Sequence, residues 1–280
     1  VARTNLTARR IKPETTELIT VRVLRRELIS EHFVRVTVGG AELERFVPLG
    51  FDQWFRLFLP VPGGTLDRVP SRLTTLSYAR FLTVAKLERP VLRNYTVRAF
   101  RPIGPEGPEL DIDFVRHGSG SNGSGDDATA GPATVWADTC EPGDVAAILD
   151  EGVGFNPPPD TDRVILVADE TGLPATAAIL ASLPEGTRGV AVIEVPALGD
   201  RQELPVPFGV EVTWVTRADP TAVPGQAALA VATDLAGPDS TGYGWVVGEQ
   251  SLASGLRRHW VRTGTPKDRV MFCGYWRSLR

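Results

Sequence analysis

No apolar run in this sequence approaches the roughly 18 residues that a membrane helix needs. The opening stretch "VARTNLTARRIKPETTE" also lacks the apolar centre of a secretory signal. Its valine start is read as a trimmed initiator. Cysteine is scarce: Cys140 and Cys273 have no metal-ligand spacing and need not pair. No metal site of the protein's own is expected. The formal net charge of -4 argues against long-range attraction to nucleic acid. The arginines of "TARRIK" and "RVLRRE" then read as solvated strand edges or tails. There is no internal repeat, and no G-x-G-x-x-G follows the apolar strand "DRVILVAD". These absences fit a reducing cytoplasm and exclude membrane insertion and nucleic-acid binding from the expected partners.

The 280 residues are 42% hydrophobic and 23% charged, enough for two domains with real cores. The first half reads as β. "LITVRVLRRE", "HFVRVTVGG", "WFRLFLP", "RNYTVRAF", "ELDIDFVRHG" and "DVAAILD" are short, alternating and separated by turn residues. Six such strands predict a closed antiparallel barrel. A less regular segment, 59–90, predicts loops around a short helix. The Gly/Pro-rich stretch 151–162 predicts a linker. Beyond it, continuous apolar strands such as "DRVILVAD" alternate with helical patterns, as in a mainly parallel sheet covered on both faces. Thr171 is the expected cap of the first of these helices, with Pro174 in its first turn. The fold class is therefore two-domain α+β: a six-stranded barrel over 1–155 and an α/β domain over 162–280.

The segment "RNYTVRAF" places Arg93 and Tyr95 on one face and Thr96 on the other. A cationic fork beside an aromatic plane, with a hydroxyl near by, suits a flavin dinucleotide. The same three residues also suit a surface arginine, a core tyrosine and a β-forming threonine. Downstream, "GPATVWADT" predicts a short helix with Pro132 in its first turn. Its start, Gly131–Pro132–Ala133, offers free N–H groups and a positive dipole end to a pyrophosphate. His117 and Gly118 line the approach. "VADETG" closes a parallel strand, where dinucleotides lie in open sheets. Asp169 and Glu170 make that point less welcoming to phosphate. Arg217, after "EVTWVT", reads either as a contact to an adenosine phosphate or as a solvated loop arginine.

The chain resembles the siderophore-interacting proteins, FAD-containing ferric-siderophore reductases of the ferredoxin–NADP reductase superfamily. The marks are "FDQWFRLFLP", "RNYTVRAF", "DFVRHG…GPATVWA", "VADETGLPATAAIL", "VIEV", "VTWVTR" and "VVGEQSLASGLRRHWV…GYWR", in that order over most of the chain. The resemblance implies that Arg93 contacts the FAD pyrophosphate, Tyr95 stacks on the isoalloxazine and Thr96 bonds near its N5. Thr96 needs a local twist or bulge to do so. His117 and the Gly131–Pro132–Ala133 turn would cradle the pyrophosphate. Asp169, Glu170 and Thr171 would border the flavin and nicotinamide, and Cys273 would stand near the nicotinamide or simply pack there. Arg56 and Arg277 would recruit an anionic ferric siderophore. A third base, common in the helix after Gly-Pro-Ala, is replaced by Val135, which points to a less charged chelate such as a hydroxamate.

The implied activity is FAD-dependent reduction of ferric siderophores with release of Fe(II). No acid–base catalytic residue is strictly required. NAD(P)H or reduced ferredoxin would be the donor. The chain stops soon after "GYWR", without the C-terminal helix that accompanies nicotinamide use in some members. A monomer is expected. The alternatives are a general NAD(P)H- or ferredoxin-linked flavin reductase and a non-catalytic siderophore-binding module. Family members have a short link where this chain carries residues 119–130, a Gly/Ser-rich stretch expected to point outward. Deleting Ser119–Thr129 should leave folding and FAD content nearly intact, because surface loops tolerate length change. Loss of flavin from the deletion variant would instead make the stretch a functional lid.

Overall fold

The computed structural model describes residues 4–5, 10–14, 16–72, 74–116, 131–219 and 222–278. His117, Gly118 and the 119–130 link lie outside them. The chain forms two compact units: Lys12–Leu49 with Gln53–Gly152, and Val153–Arg280 with Val1–Ile11 and Gly50–Asp52.

The first unit is a seven-stranded antiparallel sheet. Its strands are β1 (Ile19–Ser30), β2 (Phe33–Gly39), β3 (Trp54–Leu59), β4 (Val91–Thr96), β5 (Ala99–Gly104), β6 (Gly107–Val115) and β7 (Val145–Gly152). They run in the order β4-β3-β7-β1-β2-β6-β5. Alternation builds the core: Leu110, Ile112 and Phe114 of β6 are fully buried with Val36, Val38 and Leu57. The intervening Glu109, Asp111 and Asp113 are also buried, because arginines cover them. Arg25 and Arg101 bond Glu109, Arg101 bonds Asp111, and Arg35 bonds Asp113 through two nitrogens.

The expected sixfold count differs from the observed seven at one place. "RNYTVRAF" is not one strand. It breaks at Val97–Arg98, where the Val97 N–H donates to the Gln53 carbonyl (2.8 Å) and the Arg98 N–H to the Asp111 carbonyl (3.0 Å). β4 is thus one edge of the sheet and β5 the other, joined by two residues. Three Cα steps from Thr96 to Ala99 span at most about 11 Å, so these edges come together and the sheet closes into a barrel. Two helices accompany it. α1 (Thr75–Thr83) starts at a capping box of Thr74 and Ser77 and buries Phe81 against Phe58 and Val69. α2 (Pro132–Thr139) buries Ala133 and Ala137 in the barrel core.

The second unit holds five parallel strands: β8 (Arg163–Ala168), β9 (Arg188–Val195), β10 (Gly209–Thr216), β11 (Gly242–Glu249) and β12 (Val270–Trp276). Their order is β10-β9-β8-β11-β12. The helices are α3 (Leu173–Ser182), α4 (Gln226–Asp234) and α5 (Gln250–Arg262). β8 is buried from Val164 onward, as its unbroken apolar run predicts. The order reverses between β8 and β11, so their carboxyl ends frame a crevice of the kind that binds ligands in open α/β sheets. Thr171 is not the helix cap. Asp169 caps a short 3-10 turn over Glu170–Gly172, accepting from the Thr171 N–H, and α3 begins after Gly172. The shorter carboxylate reaches the free N–H groups where the chain leaves β8. Among the described residues no helix is long and apolar enough to cross a membrane.

Candidate functional site

The barrel presents one group of candidate residues on β3 and β4. The register pairs Phe55 with Tyr95 and Leu57 with Arg93, and Trp54 with Thr96 and Arg56 with Asn94. Paired residues share a face. Arg93 and Tyr95 therefore lie together, and Thr96 lies with Arg56 on the opposite face. Thr96 is the last residue of β4, directly before the break at Val97. Arg93 is exposed and donates to the Leu92 carbonyl (2.8 Å). The half-buried ring of Tyr95 packs against Phe114 with centroids 4.4 Å apart. Burial pushes its hydroxyl pKa up, so it stays a neutral aromatic surface at physiological pH.

α2 contributes to the same core as Tyr95, through Ala133, Ala137 and Trp136. Gly131 sits at its N-cap, no side chain caps it, and no acid occupies its first turn. A β-carbon on Gly131 would meet nothing within 4 Å. Among the described residues, no side chain caps the start of this helix. Val135 on this helix is exposed.

Arg56 is not a free cation. Its Nε lies 2.6 Å from Glu151 Oε1, and its guanidinium stands 5.9 Å from the centre of the Tyr78 ring on α1. Arg277 is exposed in the segment after β12.

In the second unit the candidates meet at the carboxyl ends of β8 and β11. Asp169 is fully buried and accepts four hydrogen bonds. They come from the Thr171 N–H and hydroxyl, the Glu249 N–H (2.6 Å) and the Trp276 indole (3.3 Å). Gly248 permits this approach: its φ is +125°, and a β-carbon there would sit 2.5 Å from the Asp169 carboxyl carbon. Burial, with the neighbouring charge of Glu170, pushes the Asp169 pKa up to about 7. Glu249 bonds the Ser251 N–H and hydroxyl and accepts from the Ser278 N–H (3.1 Å). Asp169 thereby holds the Trp276 side chain and Glu249 the Ser278 backbone, on either side of Arg277.

Arg217, the candidate for an adenosine phosphate, is held by two carboxylates. Arg217 is 9% exposed and forks onto Glu170 (2.7 and 2.9 Å) and Glu194 (3.0 Å). Glu194 in turn accepts from the Gly225 and Ala228 N–H groups at the start of α4. Burial works against the guanidinium charge, but the two carboxylates outweigh it and hold its pKa above the ordinary value. Cys273 is a free, buried thiol near the end of β12, its pKa raised by burial. Among the described residues no three His, Cys, Asp or Glu side chains gather as a metal site.

Sequence reasoning passed over Glu151, Glu194, Glu249 and Trp276. Each has at least one partner well along the chain, such as Asp169 for Trp276. Only the "EG" that ends β7 and the "GE" that ends β11 hinted at acids at strand ends.

Comparison with known proteins gives this arrangement a lineage. Residues 22–154 match the model of the siderophore-interacting FAD-binding domain, and residues 161–278 that of the siderophore-interacting protein. An uncharacterised protein of Mycobacterium tuberculosis is 34% identical over 190 residues, 68% of this chain and 62% of that protein. The match therefore spans less than two thirds of that relative's length. The NADPH-dependent ferric-chelate reductase of Escherichia coli is 27% identical over 263 residues, 91% of each chain. Among solved structures, the siderophore-interacting protein SipS from Aeromonas hydrophila superposes with a TM-score of 0.69 at 29% identity, over 94% of this chain and 99% of that one. Since the two matched models take in the barrel and the parallel sheet in turn, the chain belongs to the siderophore-interacting protein family.

Proposed function

We propose that this protein binds FAD on its barrel and reduces ferric siderophores, releasing Fe(II) in the cytoplasm. The observation that carries the reading is the donor set around Tyr95. An exposed guanidinium at Arg93 and an uncapped helix start at Gly131–Pro132–Ala133 suit a pyrophosphate, and an aromatic surface suits a flat ring. His117 and Gly118 belong to the same assignment. Bound FAD supplies the means of taking two electrons from a donor and passing them singly to iron. The chain's own residues bind, orient and shield. Arg93 and the α2 N–H groups neutralise phosphate charge. Thr96, on the face of Arg56, offers a hydroxyl at the strand end.

Residues 1–155 are assigned as the FAD-binding domain and 162–280 as a NAD(P)H-binding-like domain. Asp169, Glu170, Thr171 and Cys273 border the nicotinamide region of the latter. Arg56 and Arg277 contact the ferric siderophore, whose iron is substrate. The description of the Escherichia coli relative supports NADPH as donor. Reduced ferredoxin is the alternative donor, and the protein acts as a monomer.

The experiment is anaerobic bleaching of the flavin-loaded protein with NADH, NADPH and reduced ferredoxin in parallel, followed by a ferric siderophore. The expected result is bleaching by at least one donor and return of colour with appearance of Fe(II). Colour restored by free flavin or ferredoxin but not by a ferric chelate would make it a general flavin reductase. A protein that binds the chelate but no FAD would be a non-catalytic module.

A further inference from the structure

β7 carries an irregularity where it pairs with β3. Trp54 lies opposite Gly152 and Phe55 opposite Asp150, so Glu151 has no residue across from it. This one-residue bulge turns the Glu151 side chain out of the regular alternation. Its carboxylate meets the Arg56 Nε at 2.6 Å, and the acid is only 8% exposed. The Arg56 side chain remains 29% exposed, and the Tyr78 ring, itself 37% exposed, lies beside it. The bulge thus sets an acid against the very arginine that would attract an anionic substrate. The pair is neutral as a whole, while the guanidinium keeps nitrogens for hydrogen bonding. A neutral residue, Val135, stands at the other position where a base is expected.

We infer that Glu151 sets substrate charge: by neutralising Arg56 it tunes this subsite to weakly charged ferric chelates and against polyanionic ones. The inference rests on the proposed reduction of ferric chelates. Arg56 then recognises its ligand by directed N–H donation beside an aromatic ring, and long-range attraction contributes little. A neutral trihydroxamate chelate fits such a subsite. A tris-catecholate of charge -3 does not gain from it.

The test compares wild type with Glu151→Gln, which keeps a hydrogen-bond acceptor beside Arg56 and removes the charge. Flavin-loaded protein is reduced anaerobically and mixed with the trianionic or the neutral chelate at several salt concentrations. The trianion-to-neutral rate ratio should rise by about fivefold to tenfold in the variant at low salt, and the gain should shrink as salt rises. A ratio that is unchanged, or that falls while FAD content is retained, overturns the inference. Both proteins are also titrated with the two chelates in air, without turnover. If neither chelate reoxidises the flavin, the reductase reading fails, and the same shift in the binding ratio still decides the role of Glu151. If the variant does not retain FAD, the wild type decides. A preference for the trianion of more than about tenfold would overturn the inference, and a ratio near or below one supports it.

Discussion

Replacing Arg217 with alanine should destabilise the α/β unit by about 3–5 kcal/mol, because two buried carboxylates lose their shared counter-charge. Glu170 is 1% exposed and Glu194 is fully buried, so water cannot replace the guanidinium. Glu194 would keep its two N–H donors at the start of α4, whereas Glu170 would lose both nitrogens that bond it. Chemical denaturation of the full-length protein would measure the loss. Arg217→Lys should recover part of it, since an ammonium keeps the charge but cannot fork onto both acids. A variant that unfolds like wild type but binds NADPH more weakly than NADH would return Arg217 to the phosphate role expected from its position after β10.

Arg93→Ala should weaken FAD binding by about 1.5–3 kcal/mol, or roughly tenfold to more than a hundredfold in Kd. The fold should be indifferent, since Arg93 is exposed and donates to a neighbouring backbone carbonyl. Titration of the apoprotein with FAD, followed by Tyr and Trp fluorescence, gives the constant. Unchanged affinity would mean that the guanidinium does not face the pyrophosphate, and the uncapped start of α2 would then have to hold it alone.

Most of the strands, the change from barrel to parallel sheet and the family were legible in the sequence. Each rests on local pattern: alternation in "ELDIDF", an unbroken apolar run in "DRVILVAD", and motif order along the chain. The break at Val97–Arg98 was not legible, because Val97 and Ala99 continue the alternation of Arg93 and Tyr95 without a flaw. The break exists only because β4 and β5 must serve opposite edges of one closed sheet. Charge compensation was invisible for a similar reason. Arg217 reads as a solvated or phosphate-binding arginine until Glu170 and Glu194, 47 and 23 residues away, are brought onto it. Arg56 reads as a recruiting base until a bulge some 95 residues later aims an acid at it. Glu109, Asp111 and Asp113 alternate with the core residues of β6, and four arginines from three other strands or their ends cover them.

The strand order also constrains how the barrel is made on the ribosome. β7, the last strand of the barrel to be synthesised, lies between β1 and β3, which do not pair with each other. Until residue 152 has left the exit tunnel, the nascent chain can assemble only two fragments, β1-β2-β6-β5 and the β3-β4 pair. Each has an open edge toward the missing strand, and both wait for a segment made more than 100 residues after β1 began. Those two edges, one on β1 and one on β3, are therefore where the unfinished barrel is open to mispairing until 145–152 is available.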